Sequence, residues 1–249
     1  MVIITEENLD HLINIVNPKG YVGVISIGLI TTDLLLEVDR MDVPIVMIDH
    51  EDHLISCDLV FNNNFSASEK VTNYLIGLGH RKLQFVGNIS FSRSFYDRWV
   101  GFRSTLELSE PEMTIDASLS TIHPRAFKTT FSDWLLQKKQ ANDLPSAFVC
   151  TNDQMARRVI TVLEDNGWSV PRDFSVTGFD NLEDSYQGTP TLTTVHLEKE
   201  ELGKRGVEVL IRRLAEKDSP YEKVLLEGSM ILRESASRPH VETIDIWSK

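Results

Sequence analysis

Residues Ser146–Val195 read SAFVCTNDQMARRVITVLEDNGWSVPRDFSVTGFDNLEDSYQGTPTLTTV and alternate between apolar runs and a helical pattern. The run Ala147–Cys150 predicts a buried strand, after which apolar residues recur at helical spacing until Gly167. A second apolar run then leads into Gly178-Phe179-Asp180. Because parallel α/β sheets bind ligands at the carboxyl ends of their strands, the polar residues that follow both strands are candidates for a binding site.

The same alternation runs along the rest of the chain and predicts an α/β fold with parallel sheets flanked by helices. The predicted strands are Val2–Ile4, Val22–Ile27, Ile45–Ile48, Leu59–Phe61, Leu83–Val86, Ala147–Cys150, Ser175–Thr177 and Thr193–Val195. Besides the helix after Asn152, the predicted helices are Glu7–Val16, Ser66–Leu78 and Glu198–Ala215. We expect their apolar faces to lie in the core; in the last helix that face is Val207, Leu210, Ile211 and Leu214.

Composition excludes several classes of protein. The net charge of −12 argues against this chain gripping nucleic acid or an anionic membrane by itself, because phosphate binding needs clustered Lys and Arg. No apolar run approaches the roughly 20 residues of a membrane helix, and no basic start precedes a signal-like run. Cys57 and Cys150 are expected to be buried thiols, as in cytoplasmic proteins.

Motifs for enzymes, cofactors and metals are missing. The chain lacks GxSxG, GxxxxGK[ST], GxGxxG and CxxC, which predicts no catalytic activity and no cofactor. The run from His50 to His53 differs from the HExxH zinc pattern, and we interpret it as a solvated loop with no metal. The alternative is an enzyme in which Asp49 and Asp180, which follow separate strands, act as a catalytic acid–base pair.

Several motifs in order resemble one family. Leu78-Gly79-His80-Arg81 precedes a predicted strand, and Arg98-Trp99-Val100-Gly101-Phe102 follows it. Downstream come the Asn-Asp pair at 152–153, the GFDN run at 178–181 and TPTLTTV at 189–195. Together they resemble the effector-binding domain of lactose-repressor-type (LacI/GalR) bacterial transcription regulators, over roughly residues 2–235.

The resemblance implies a two-lobed, periplasmic-binding-protein-like (type I) fold with a ligand cleft between the lobes. It implies an N-terminal lobe of residues 1–61 and 199–226, a C-terminal lobe of residues 62–198 and 227–238, and a tail at 239–249. It also implies a homodimer. Such domains begin with a further strand and helix and follow a helix-turn-helix domain, so we expect operator DNA to be bound only through a missing N-terminal domain.

Four residues are candidates for ligand binding: Asp49, Arg98, Asn152 and Asp180. The resemblance makes Arg98 the cleft arginine, whose planar fork suits hydroxyls, a carboxylate or a phosphate; the alternative is a solvated helix arginine. Asp180 could bind ligand hydroxyls or a base N–H, and could also cap the next helix. Asn152 offers a donor and an acceptor, whereas Asp153 is expected to cap its helix or to act at a hinge. Asp49 could instead be a turn residue.

Other side chains have weaker roles in this interpretation. Phe95 and Phe127 are candidates for an aromatic wall against a ligand ring. His80 is interpreted as a structural turn residue. His196 is expected near the hinge, with ligand contact as an alternative.

These observations favour a ligand-sensing domain of a cytoplasmic transcriptional regulator, bound by a sugar, a sugar phosphate or a nucleobase. The alternatives are a solute-binding protein for sugar transport, which shares the architecture, and an enzyme on an α/β scaffold. Fold alone does not separate the three.

Overall fold

The computed structural model describes residues 20–109, 116–123 and 125–240, and their contacts divide them into two units. Unit 1 contains residues 20–63, 92–94 and 198–227. Unit 2 contains the described residues of 64–91, 95–197 and 228–240. The predicted strand Val2–Ile4 and the predicted helix Glu7–Val16 lie outside the described residues.

The described elements alternate between strand and helix along most of the chain. In order they are β1 (Val24–Ile27), α1 (Thr32–Asp39), β2 (Ile45–Ile48), β3 (Asp58–Asn62), α2 (Asn64–Leu78), β4 (Leu83–Val86), α3 (Arg93–Ser109), α4 (Phe127–Gln140), β5 (Ala147–Cys150), α5 (Asp153–Asp165), β6 (Ser175–Thr177), α6 (Glu183–Gln187), β7 (Thr194–His196), α7 (Lys199–Ala215), β8 (Lys223–Leu226) and β9 (Ser229–Ile231). No helix in the described ranges is long and apolar enough to cross a membrane.

Unit 1 is built on a parallel sheet with the strand order β1-β2-β3-β8. Every residue of β2 is buried, because its two faces pack into separate apolar clusters. Ile45 and Met47 pack with residues of α1, and Val46 and Ile48 pack with residues of α7. A strand covered on both faces explains the unbroken apolar sequence IVMI.

The buried face of α7 differs from the one predicted from its apolar residues. Val207 is 47% exposed and Ile211 is 61% exposed, so the prediction that both lie in the core is wrong. The buried residues are Leu202, Gly206, Val209 and Arg213. A Cβ at Gly206 would lie 2.3 Å from Ile48 Cδ1, so glycine permits the close approach of α7 to the sheet.

Arg213 is buried because it forms an ion pair with Asp58 at the start of β3. Its Nε lies 2.7 Å from Asp58 Oδ2 and its Nη2 lies 2.9 Å from Oδ1. The Glu222 amide also donates to Asp58 Oδ1, at 3.0 Å. This bidentate pair joins the end of α7 to β3 and to the entry of β8. The spacing of apolar residues does not predict this pair, because Arg is ordinarily exposed.

Unit 2 contains the parallel sheet β4-β5-β6 and the antiparallel pair β7-β9. Side chains of β5 alternate between two apolar clusters. Ala147 and Val149 pack with α2 and α3, and Phe148 and Cys150 pack with α4 and α5. Cys57 and Cys150 are both buried free thiols, as predicted.

The C-terminal segment 235–237 runs beside β6. The Val176 amide donates to Ser235 O at 2.8 Å, and the Ser235 hydroxyl donates to Val176 O at 2.6 Å. The Ser235 amide donates to Thr191 O at 2.9 Å, just before β7. This short segment therefore satisfies polar groups on the side of β6 that faces away from β5.

Candidate functional site

Two neighbouring strands of unit 2 end in the polar residues that the sequence singled out. β5 and β6 are parallel partners, so their carboxyl ends lie at the same edge of the sheet. Thr151 and Asn152 follow β5, and Asp180 follows β6. This edge is where α/β sheets commonly bind ligands.

Arg98 extends from α3 into this edge and is only 3% exposed. Its Nε donates to Asn64 Oδ1 at 2.8 Å, and its Nη1 donates to the Thr151 carbonyl at 2.5 Å. Its Nη2 lies 3.1 Å from Asp180 Oδ1. The guanidinium thereby joins the start of α2 to the ends of β5 and β6, and the alternative of a solvated helix arginine is wrong.

Two phenyl rings flank the guanidinium of Arg98. Its Cζ lies 4.7 Å from the ring centroid of Phe179 and 5.4 Å from that of Phe95. Contacts of a cation with aromatic faces contribute about 0.5–2 kcal/mol each, depending on desolvation. The rings and the three hydrogen bonds fix the orientation of Arg98.

Asp180 lies in a turn with unusual backbone geometry. Its φ is 95°, and that of Asn181 is 49°. The amide of Asp180 donates to Val195 O at 2.9 Å. Its carboxylate uses Oδ1 for Arg98, which leaves Oδ2 for another partner. The predicted capping role of Asp180 is wrong, because α6 begins at Glu183 and its N-cap residue is Leu182.

The residue that caps α5 is Asn152, whereas the sequence predicted Asp153 as the cap. Asn152 is the N-cap of α5, and its Oδ1 accepts from the Met155 amide at 2.9 Å. The expectation that Asp153 caps this helix is therefore wrong. Since the cap uses only the side-chain oxygen, the amide group of Asn152 keeps its donors for a ligand.

Asp153 is fully buried and hydrogen-bonded on both oxygens. The Thr194 hydroxyl donates to Oδ1 at 2.5 Å, and the Leu182 amide donates to Oδ2 at 2.7 Å. Burial raises the pKa of Asp153 to about 6, and the negative charge of Asp180 acts in the same direction. Sequence reasoning missed these contacts, because their donors lie 29 and 41 residues further along the chain.

Asp49 belongs to unit 1 and so is described apart from the three candidates of unit 2. It follows β2 with a φ of 56°, and its amide donates to Val60 O at 3.0 Å. The hydroxyl of Ser94, in the same unit, donates to Asp49 Oδ1 at 2.5 Å. Its ligand role remains a prediction.

Phe95 and Phe127, the two candidates for an aromatic wall, have different surroundings. Phe127 is buried in the core and stacks on Phe131 at 5.2 Å, so it is not available as a ligand wall. Phe95 lies against Arg98, as described above. Phe91, which the sequence analysis did not name, is 57% exposed and packs on Phe95 with 5.3 Å between ring centroids.

His80 is a buried structural residue, as predicted. Its Nδ1 lies 2.8 Å from Ser146 Oγ, and its Nε2 lies 3.0 Å from Ser175 Oγ and 2.9 Å from Ser237 O. Burial lowers the pKa of His80 below its ordinary value of 6.5.

His196 lies beside the turn that carries Asp180. Asn181 Nδ2 donates to His196 Nδ1 at 3.2 Å.

In the described part of the chain, which includes the run from His50 to His53, no group of three or more His, Cys, Asp or Glu residues could hold a metal ion.

Comparisons with known proteins show which family the chain resembles. Residues 72–236 match the family described as periplasmic binding protein-like domain. The chain is 29% identical over 196 residues to the HTH-type transcriptional repressor PurR of Mannheimia succiniciproducens, covering 78% of this chain and 58% of that protein. The chain thus spans less than two thirds of this relative's length.

Two solved structures share the fold. A LacI family transcriptional regulator from Enterococcus faecium with bound ribose matches with a TM-score of 0.74, 22% identity and coverage of 93% of this chain and 84% of that one. A complex of the transcriptional regulator CelR with cellobiose matches with a TM-score of 0.78, 22% identity and coverage of 92% and 70%.

The family match covers more than half of the chain and includes Arg98, Asn152 and Asp180. The chain therefore belongs to the periplasmic binding protein-like domain family.

Proposed function

We propose that this chain is the ligand-sensing part of a longer bacterial transcriptional regulator, and that Arg98, Asn152 and Asp180 bind its effector. The observation that carries the proposal is the ion pair of Arg98 and Asp180 at the ends of β5 and β6. Ribose and cellobiose bound to regulators of the same fold support a small polar ligand.

The charges of this site favour an uncharged ligand. The positive charge of Arg98 is already compensated by Asp180. The neighbouring arginines of unit 2 bind oxygens of the chain itself: Arg157 donates to carbonyls that include Pro190 O, and Arg233 donates to Asn181 Oδ1. A phosphate would find no further cation among these residues, so a neutral sugar or nucleobase suits the site better than a sugar phosphate.

The remaining hydrogen-bonding groups match such a ligand. Asp180 Oδ2 supplies an acceptor and the Asn152 amide supplies donors. Vicinal sugar hydroxyls or the edge of a nucleobase present both kinds of group. The exposed ring of Phe91 supports an apolar contact with a ligand ring. Asp49 of unit 1 is proposed as a further ligand residue.

Regulation would follow from differential affinity. A ligand that prefers one arrangement of the protein shifts the population towards it. Operator DNA would be bound through a helix-turn-helix domain outside these residues, as the name of the PurR relative supports.

We further propose a cytoplasmic homodimer, with α5 and α6 supplying part of its surface. Because the outward face of α5 is polar, that surface would depend on residues such as Tyr186.

The alternative of a solute-binding protein for sugar transport is not favoured, since the similar proteins are transcriptional regulators. Catalysis by Asp49 and Asp180 is disfavoured because the similar proteins are transcriptional regulators.

A ligand screen tests the proposal. Thermal shift would be measured with D-ribose, cellobiose, adenine, guanine and D-ribose 5-phosphate, because a ligand that binds the folded state raises the Tm. We expect a neutral compound to raise the Tm and the phosphate to have no effect. Titration calorimetry with Asp180→Asn should then show weaker binding, and the control Asp184→Asn should not. A preference for the phosphate would contradict the charge argument. Light scattering would test the dimer.

A further inference from the structure

Asp153 connects α5 to both sides of the turn that carries Asp180, through its backbone amide on one side and its carboxylate on the other. On one side, the Asp153 amide donates to the Phe179 carbonyl at 2.8 Å. On the other, the Leu182 amide donates to Asp153 Oδ2 at 2.7 Å. The hydroxyl of Thr194, in β7, donates to Oδ1 at 2.5 Å. The first residue of one helix thus fixes the residues before and after Asp180 and Asn181.

That turn needs external support. Asp180 and Asn181 both have positive φ values, a conformation that residues other than glycine rarely adopt in succession. Such geometry persists only where surrounding contacts impose it. The contacts that Asp153 makes at residues 179 and 182 are of this kind, because they bracket the two residues with positive φ.

The packing around the carboxylate leaves it little freedom. A Cβ at Gly178 would lie 2.3 Å from Asp153 Oδ1 and 3.0 Å from its Cα. The backbone of the turn therefore lies directly against Asp153. Only glycine at position 178 permits this approach.

Holding a carboxyl group in this environment is costly. Burial raises its pKa to about 6 although the hydrogen bonds from Thr194 and Leu182 act in the opposite direction; Asp180 adds an unfavourable charge and Arg233 a favourable one. Arg157 on the same helix carries a favourable charge, and Cys150 at the end of β5 also faces it. A side chain with this cost is expected where its hydrogen bonds specify one conformation.

We propose that Asp153 is a positioning residue for the ligand site: it holds the turn of residues 179–182 in the conformation in which Asp180 reaches Arg98, without touching the ligand. This inference rests on the proposed ligand role of Asp180.

Three variants separate the contacts. Asp153→Ala removes both accepted hydrogen bonds. Asp153→Asn keeps an oxygen for the Leu182 amide and offers an amide hydrogen to Thr194. Thr194→Val removes only the bond to Oδ1 and serves if Asp153→Ala does not fold. Asp165→Asn, at the exposed end of α5, is the matched control.

The first measurement needs no ligand. We expect hydrogen exchange of the Asp180 and Leu182 amides to rise about tenfold or more in Asp153→Ala, with little change in β4. Asp153→Asn should restore most of the protection. Unchanged exchange in the turn, or an equal rise in β4, would overturn the proposal, because it would show no anchor or a general structural one.

The second measurement is a double-mutant cycle on affinity for the compound that binds among D-ribose, cellobiose, adenine and guanine. Asp153→Ala should weaken binding about tenfold or more in the wild-type background and by less than about threefold beside Asp180→Ala. Additive losses would show that Asp153 does not act through Asp180. If no compound binds the wild type, the ligand assignment fails, and the exchange measurement still decides whether Asp153 anchors the turn.

Discussion

Arg98 Nη2 and Asp180 Oδ1 lie 3.1 Å apart although 82 residues separate them in the sequence. Arg98 is buried, and Asp180 keeps one side open to solvent. The pair thus combines a rigidly held cation with a carboxylate that can reach a ligand. Three segments of unit 2 hold the guanidinium of Arg98. Replacing Arg98 should therefore change both the affinity for the ligand and the free energy of unfolding.

Replacing Arg98 with Met should destabilise the protein by about 3 kcal/mol, because it breaks a buried ion pair and leaves the Asn64 and Thr151 acceptors without their donor. Urea unfolding would measure the loss. Arg172→Met, at an exposed position, is the control and should change the free energy of unfolding by less than about 0.5 kcal/mol. Equal stability of both variants would contradict the role described for Arg98.

Asp180→Asn should weaken ligand binding about tenfold or more, since a hydrogen bond to a charged acceptor contributes about 1.5–3 kcal/mol. The amide oxygen can still accept from Arg98, so circular dichroism should show an unchanged fold. Calorimetric titration with the ligand found by the screen measures the affinity. An affinity equal to that of the wild type would remove Asp180 from the ligand site.

Asn152→Asp separates the two roles of Asn152. The carboxylate accepts from the Met155 amide as well as the amide oxygen does, so stability should stay within about 0.5 kcal/mol. The ligand loses its donor, so affinity should fall. Asn152→Ala should lower stability as well, by about 1 kcal/mol, because α5 loses its cap. Urea unfolding and calorimetry on both variants test this. Unchanged affinity in Asn152→Asp would limit Asn152 to capping.

His80 should make stability depend on pH. Its pKa in the folded protein is below the ordinary 6.5, so the unfolded chain binds the proton more readily. Its contribution is complete above pH 6.5 and is lost as the pH falls through the folded-state pKa. Urea unfolding between pH 8 and pH 5 should therefore show a steeper loss for the wild type than for His80→Asn. Parallel curves would exclude this linkage.

Val209 of α7 is buried, whereas Val207 and Ile211 are exposed, so replacing each by Ala should affect the free energy of unfolding differently. Val209→Ala should cost about 2 kcal/mol, because it opens a cavity against the sheet of unit 1. Val207→Ala and Ile211→Ala, at exposed positions, should each cost less than about 0.5 kcal/mol. Thermal unfolding of the three variants compares them. A large loss at Val207 would show that this face is covered in solution.

Sequence patterns predicted the buried strands well. β2, β4, β5 and β6 begin and end at the predicted residues, and each is short and buried along its whole length. β7 begins one residue later than predicted. β8 and β9 were not predicted, since their apolar runs are short and their side chains are partly exposed. No bounds were predicted for α1, α3, α4 and α6.

The candidate site was predictable in its residues but not in its contacts. Asn152 and Asp153 are both good helix caps, and their sequence does not tell which one caps. That choice depends on Leu182 and Thr194, which only the folded chain brings to Asp153. The burial of Arg98 has the same origin, because its acceptors come from segments far away in the sequence.

The segment 235–237 has a consequence for the order in which unit 2 is assembled. Its bonds to Val176 and Thr191 are made by residues that leave the ribosome after β9, the last strand of the described residues. A nascent chain that extends only to Ile231 already contains β6, yet the far side of that strand lacks these partners. An unpaired strand edge is open to wrong pairing. Until Ser235 emerges, the backbone of Val176 on this edge of β6 is therefore open to pairing with another chain.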